Sequence, residues 1–277
     1  MEYRLLGPLQ VLDDQGTTLA VGGPRVRALL TALLLEANQV VATPRLVDAL
    51  WDDEPPSSWR QSLHFLVHRL RQCLGEGRDA VITREPGYLV QVEPGQLDVT
   101  RFEELVAKGR AAWAAGDARE ASGALKLALG LWHGPALADF EGMRFAQAEI
   151  SRLEESRLSV VGEHVEAELA LGHHSELVGE IEALTMAHPL REGFHAQLIL
   201  AQYRAGRLPE AVAAYRRAGA LLRDELGIEP GRRLQELERA VLNRDPARCP
   251  ARRAAALRPG GRRPRPQAAG RPGTGPG

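Results

Sequence analysis

An echo at 34 residues in the second half of the chain constrains its architecture more than any other feature. Leu171-Gly172-His173-His174-Ser175-Glu176-Leu177 follows the same pattern as Ala205-Gly206-Arg207-Leu208-Pro209-Glu210-Ala211, and the two glycines stand 34 residues apart. That is the tetratricopeptide (TPR) period, in which each copy is a helix, a glycine-containing turn and a second helix. Ala115-Gly116-Asp117-Ala118-Arg119-Glu120-Ala121 reads as a third copy out of register, and the small-residue-rich connection from Trp132 to Phe145 accounts for the offset. Such units bury their apolar faces only against neighbours, and three copies are near the minimum for stability. Residues 98–245 are therefore expected to form an all-α, TPR-like domain.

The first 95 residues follow different rules. Tyr3 to Leu6, Leu9 to Leu12 and Thr17 to Val21 are short apolar runs separated by Gly7-Pro8 and by Asp13-Asp14-Gln15-Gly16, the pattern of an antiparallel sheet. Gly22-Gly23-Pro24 opens a first helix to about Ala37, with proline suited to its first turn. Thr43-Pro44 starts a second, with Thr43 as the expected N-cap. Ser57 or Ser58 caps a third, which Gly75-Glu76-Gly77 ends. Val81 to Arg84, a Glu85-Pro86-Gly87 turn and Tyr88 to Val92 read as a hairpin. Sheet, three helices and hairpin together predict a winged helix-turn-helix domain over residues 1–95. The chain is thus expected to be mainly α: a winged helix with an N-terminal antiparallel sheet and a hairpin wing, then the TPR-like domain.

The third helix carries the functional signal. Leu63, Val67, Leu70 and Leu74 fall on one side at 100° per residue. Opposite them lie Gln61, His64, Phe65, His68, Arg69 and Gln72, and no Asp or Glu occurs between Ser57 and Leu74. A helix entering the major groove needs this chemistry. Carboxylates would repel phosphates, whereas Arg, Gln and His hydrogen-bond base edges and an aromatic ring can touch a thymine methyl. Ser62 and Arg71 flank that face, where phosphate contacts are made. Arg84, just before the hairpin turn, is placed for the minor groove.

Other chemistries find little support. His64 and His68 have the i, i+4 spacing of a zinc helix, but Phe65 stands where a metalloprotease needs glutamate and no third ligand is evident. No G-x-x-x-x-G-K-[ST] segment occurs, so ATP hydrolysis is not expected. Asp139, Glu141 and Glu149 read as solvated helix-end charges. Neither metal nor cofactor is expected, nor any enzyme activity. Cys73 and Cys249 have no metal or disulfide spacing. The N-terminus lacks a signal-peptide layout and no apolar run is long enough for a bilayer, so a cytoplasmic, nucleoid-associated location without membrane contact is expected. Net charge is −1, so whole-chain charge says nothing of nucleic acid. Residues 246–277 hold eight arginines and no acidic residue among Pro, Gly and Ala, and are expected to be a disordered tail. A TPR adaptor whose winged helix no longer binds DNA is the main competing reading, and the acid-free face argues against it.

The chain resembles the actinobacterial antibiotic-pathway regulators of the SARP family. The residues that carry the resemblance are Leu6-Gly7-Pro8-Leu9, Gly22-Gly23-Pro24-Arg25, Arg45 to Trp51, Arg69-Leu70-Arg71 and Pro86-Gly87-Tyr88. In the second domain they are Leu131 to Leu137, His188 to Glu192, Tyr203 to Arg207 and Glu225 to Gly231. The resemblance implies an OmpR-like winged helix and a bacterial transcriptional activator domain. It implies binding of double-stranded DNA at promoter direct repeats, self-association on DNA and recruitment of RNA polymerase holoenzyme at secondary-metabolite promoters. In such proteins the third helix reads the major groove and a hairpin arginine enters the minor groove. Those roles carry over to Gln61, Ser62, His64, Phe65, His68, Arg69, Arg71 and Arg84. Gln61, His64, Leu66 and His68 depart from the family's usual Asn, Gln, Tyr and Ser, so no relative's target sequence transfers.

Overall fold

The computed structural model describes residues 1–243; the expected tail at 246–277 lies outside them. Strands β1 (Glu2–Arg4) and β2 (Gln10–Leu12) pair antiparallel, Tyr3 opposite Val11. The expected third strand at Thr17–Val21 shrinks to one bridge, Leu12 to Thr18, and one further bond from the Leu19 amide to Val11. Beyond it the chain turns away at Gly22, whose φ is +45°, to enter the first helix.

Helix α1 (Pro24–Leu34) starts on its proline and buries Leu29, Leu30 and Leu33 completely. Strand β3 (Val41–Ala42), which the sequence did not announce, leads into α2 (Thr43–Trp51). Thr43 does not cap that helix. Its amide and hydroxyl both donate to the Pro86 carbonyl, stitching the helix start to the hairpin turn. Helix α3 is Trp59–Leu74, and Ser58 makes no capping bond. After a 3₁₀ stretch, strands β4 (Val81–Arg84) and β5 (Gly87–Val90) form the expected hairpin, its second strand starting one residue earlier and ending two residues earlier than read. Strand β5 is central, in the order β3-β5-β4. Gly87 is required there: an added Cβ would stand 1.9 Å from the Val41 carbonyl oxygen of β3.

The rest of the described chain is built on helices: α4 (Asp98–Ala114), α5 (Ala118–Leu129), α6 (Arg144–Leu171), α7 (His174–Ala187), α8 (Glu192–Arg204), α9 (Leu208–Leu226) and α10 (Arg232–Leu242). The three repeat glycines sit in the turns α4–α5, α6–α7 and α8–α9. Gly116, Gly172 and Gly206 have φ of +84°, +99° and +78°, the left-handed conformation that a residue with a Cβ adopts at a cost. A left-handed glycine in the turn of each of these helical pairs is the structural content of the sequence echo, and the 34-residue interval holds between Gly172 and Gly206. The misfit of the first copy comes from the connection before α6 and from the 28-residue length of α6 itself.

The winged helix and the first helical hairpin share one core. A single buried cluster runs from Tyr3 through Leu29, Leu46, Leu63 and Val90 to Phe102, Trp132 and Val160. Phe102 and Trp132 meet edge-to-face at 5.5 Å, a geometry worth about 1 kcal/mol beyond area burial. A second cluster, Val165 to Val241, belongs to the last five helices. Helix α6 supplies both.

Polar groups seal the first junction. The buried Asp98 carboxylate, at the first residue of α4, accepts the Leu5 and Leu6 amides at 2.9 Å. That capture is why Leu5 and Leu6 leave the strand. Burial pushes the Asp98 carboxyl up, and the Leu6 and Leu5 amides pull the other way. The connection before α6 returns to the same segment: the His133 and Leu137 amides donate to the Leu6 and Leu5 carbonyls. Asp139 is not a solvated helix-end charge. It accepts the Leu9 amide at 2.7 Å and pairs with Arg27.

Candidate nucleic-acid interface

Helix α3 has two sides of opposite character. Leu63, Leu66, Val67, Leu70 and Leu74 are buried in the first core, where α3 packs on α1. Gln61, His64, Phe65, His68, Arg69 and Gln72 are all exposed, and Phe65 keeps 62% of its surface in water. The helical half does not cover it. Helix α6 meets the winged helix through α2, where Arg144 pairs with Asp53 at 2.6 Å.

The three arginines of α3 have neutral partners. The Arg60 guanidinium lies 4.3 Å from the centre of the Trp59 ring. Arg69 Nη1 donates to Gln72 Oε1 at 3.0 Å. Arg71 donates through Nε and Nη2 to the Val81 carbonyl at 3.0 and 2.8 Å, and through Nη2 to Thr83 Oγ1 at 2.9 Å. None of the three forms an ion pair among the described residues, whereas Arg27, Arg101, Arg110, Arg152 and Arg233 all do. The charge of α3 is thus oriented without being cancelled. Orientation lowers the entropy lost on contact, and a neutral partner leaves the cation available to a phosphate or a guanine.

Arg71 is half-buried and serves first as a brace between α3 and the β4–β5 hairpin. The residue expected to be a flanking phosphate contact is thus already committed through two of its three nitrogens. Ser62, the other flanking residue, is half-buried. Arg84 ends β4, is exposed, and its side chain makes no hydrogen bond or ion pair among the described residues. Behind the brace, burial pushes the Tyr88 hydroxyl up while nearby Arg71 opposes it, so the ring stays neutral at the root of the wing. Sequence reasoning named the exposed face and Arg84, but not the Arg60–Trp59 stack or the role of Gln72. The i+3 and i+4 spacing of Gln72 from Arg69 and His68 was the available signal.

His64 and His68 share the exposed face, and among the described residues no group of three or more His, Cys, Asp or Glu side chains is arranged to hold a metal. Nor, among those residues, is any helix long and apolar enough to cross a membrane.

Comparison with known proteins agrees with this architecture. Residues 97–242 match the family model described as bacterial transcriptional activator domain, and residues 18–90 match transcriptional regulatory protein, C terminal. The chain is 41% identical over 248 residues to the regulatory protein AfsR of Streptomyces coelicolor, covering 89% of this chain but a quarter of AfsR. It is 38% identical over 256 residues to the regulatory protein DnrI of Streptomyces peucetius, covering 89% of this chain and 93% of DnrI. The solved structure of Mycobacterium tuberculosis EmbR in complex with a low-affinity phosphopeptide superposes with a TM-score of 0.86 at 37% identity, over 91% of this chain and 67% of that one. Both matching models describe regulatory domains rather than enzymes.

Proposed function

Because the chain belongs to the SARP family of bacterial transcriptional regulators, we propose that it is a sequence-specific DNA-binding activator that lays the outer face of α3 in the major groove. The observation that carries this reading is the carboxylate-free face whose arginines are oriented by neutral groups. Arg69, with Gln61, His64 and His68, reads base edges, and Phe65 packs on a thymine methyl. Ser62 and the remaining Nη1 of Arg71 take phosphates. Arg84 enters the neighbouring minor groove, where negative potential is highest when the groove is narrow.

The family resemblance supports the finer statements. The target is a set of promoter direct repeats ahead of secondary-metabolite genes, occupied by two or more protomers. The helical half recruits RNA polymerase holoenzyme, and the protein works in the cytoplasm at the nucleoid.

The test is a mobility shift on DNA from upstream of the protein's own gene, at one fixed salt concentration, since phosphate contacts make affinity salt-dependent. A discrete complex that survives non-specific competitor is expected. Arg69→Ala should weaken that complex by about 1–3 kcal/mol, the worth of one good contact to guanine, and leave non-specific binding in place. Failure of the unmutated protein to prefer any sequence rejects the reading.

A further inference from the structure

Gln72 lies on the exposed face of α3 and contributes no charge. It touches two of the residues assigned to base reading. Its Oε1 accepts from Arg69 Nη1 at 3.0 Å, and its Nε2 stands 2.9 Å from His68 Nε2. The three side chains form a continuous string along one helical turn, at i, i+1 and i+4.

The chemistry of the string allows one assignment. A guanidinium has donors only, so the amide oxygen must face Arg69. The amide NH₂ therefore faces His68 and must donate, which makes His68 Nε2 the acceptor. The ring proton then sits on Nδ1. A His68 protonated at both nitrogens would put N–H against N–H, and turning the amide to relieve this would set its NH₂ against Arg69. One neutral amide thereby fixes the direction of a cation and the tautomer of an imidazole together. Arg69 keeps four N–H donors for DNA, and His68 offers one donor, at Nδ1.

We propose that Gln72 is a positioning residue for sequence recognition: it locks Arg69 and His68 into one recognition unit whose donor pattern is set before DNA arrives. This rests on the reading of α3 as the base-reading helix. It predicts that Arg69 and His68 act non-additively and that their shared preference depends on a residue that need not touch a base.

The experiment is binding-site selection from randomised duplex DNA with the intact protein, comparing the unmutated chain with Gln72→Met, which keeps the side-chain length and removes both hydrogen bonds. The melting temperature should be unchanged, since Gln72 is exposed. The ratio of specific to non-specific affinity should fall by about fivefold to tenfold, the lower range of one good base contact, with the loss confined to the base pairs that Arg69→Ala and His68→Ala also relax. The slope of affinity against salt should stay the same, because no phosphate contact is removed. In a chain already carrying Arg69→Ala and His68→Ala, Gln72→Met should change affinity by less than about twofold, because nothing remains to be oriented. An equal loss in both backgrounds would mean that Gln72 contacts DNA itself and overturns the positioning role. So would a Gln72→Met chain that selects the same sites with the same affinity ratio as the unmutated one. If the unmutated chain selects no site, the DNA reading fails and takes this proposal with it.

Discussion

The first core draws on distant parts of the chain, whereas the second is assembled from neighbours. In the first, Leu5 finds Asp98 across 93 residues and Leu9 finds Asp139 across 130. In the second, α7 packs on α8, α8 on α9, and α10 on both α8 and α9. The contrast separates two kinds of stability. A repeat stack fails locally and in proportion to what is removed. A core closed by long-range polar capture fails as a unit, because each buried amide it leaves unpaired carries its full desolvation cost. Helix α3 depends on the core closed by polar capture, which includes α4, α5 and half of α6. The segment that carries α3 is therefore not a detachable module in its physics, even though its last strand ends at Val90.

Truncation tests that contrast most severely. Residues 1–95 alone should be largely unfolded, since Tyr3, Leu5 and Leu6 lose the partners that bury and bond them. A fragment ending at Gly162, which retains the whole first core, should unfold cooperatively and bind DNA. Circular dichroism melts of the two fragments decide it, and a cooperative melt for residues 1–95 would break the comparison. Single substitutions come next. Asp98→Ala should cost about 3–5 kcal/mol, because two buried amides lose a charged acceptor at once, and DNA affinity should fall with stability. Ile181→Ala, at a fully buried position of the second core, should cost about 2–4 kcal/mol and leave DNA affinity unchanged. Denaturant titration paired with a binding assay measures both, and equal effects on DNA binding would show the cores to be coupled.

The smallest expected effect lies where the two halves meet along α6. Burial opposes the charge on Glu168, but hydrogen bonds from Ser122 and His173 outweigh it and hold the carboxyl below its ordinary 4.5. A carboxyl depressed in the folded state stabilises above its unfolded value and loses that contribution as pH falls through the folded one. Stability should thus decline below about pH 4.5 with a component of about 1 kcal/mol or less. Glu168→Gln should remove that component while the rest of the acid transition remains.

The features legible in the sequence were those that a short stretch of chain decides for itself. The 34-residue echo located the turn glycines, and the period of Leu63, Val67, Leu70 and Leu74 fixed which side of α3 faces inward. The lack of Asp and Glu from Ser57 to Leu74 marked the outward side. Helical rotation and backbone sterics act over three or four residues, so composition at that range was enough.

Tertiary structure decided where polar groups found their partners. Thr43 could cap its helix or hold the hairpin, and the nearness of the Pro86 carbonyl settled it. Arg71 could face phosphate or brace the wing, and the Val81 carbonyl claimed it. Asp139 could be solvated, until the fold brought Leu9 and Arg27 beside it. A hydrogen bond depends on ångström-scale proximity between groups that chain distance leaves unrelated, and only the packed core creates that proximity.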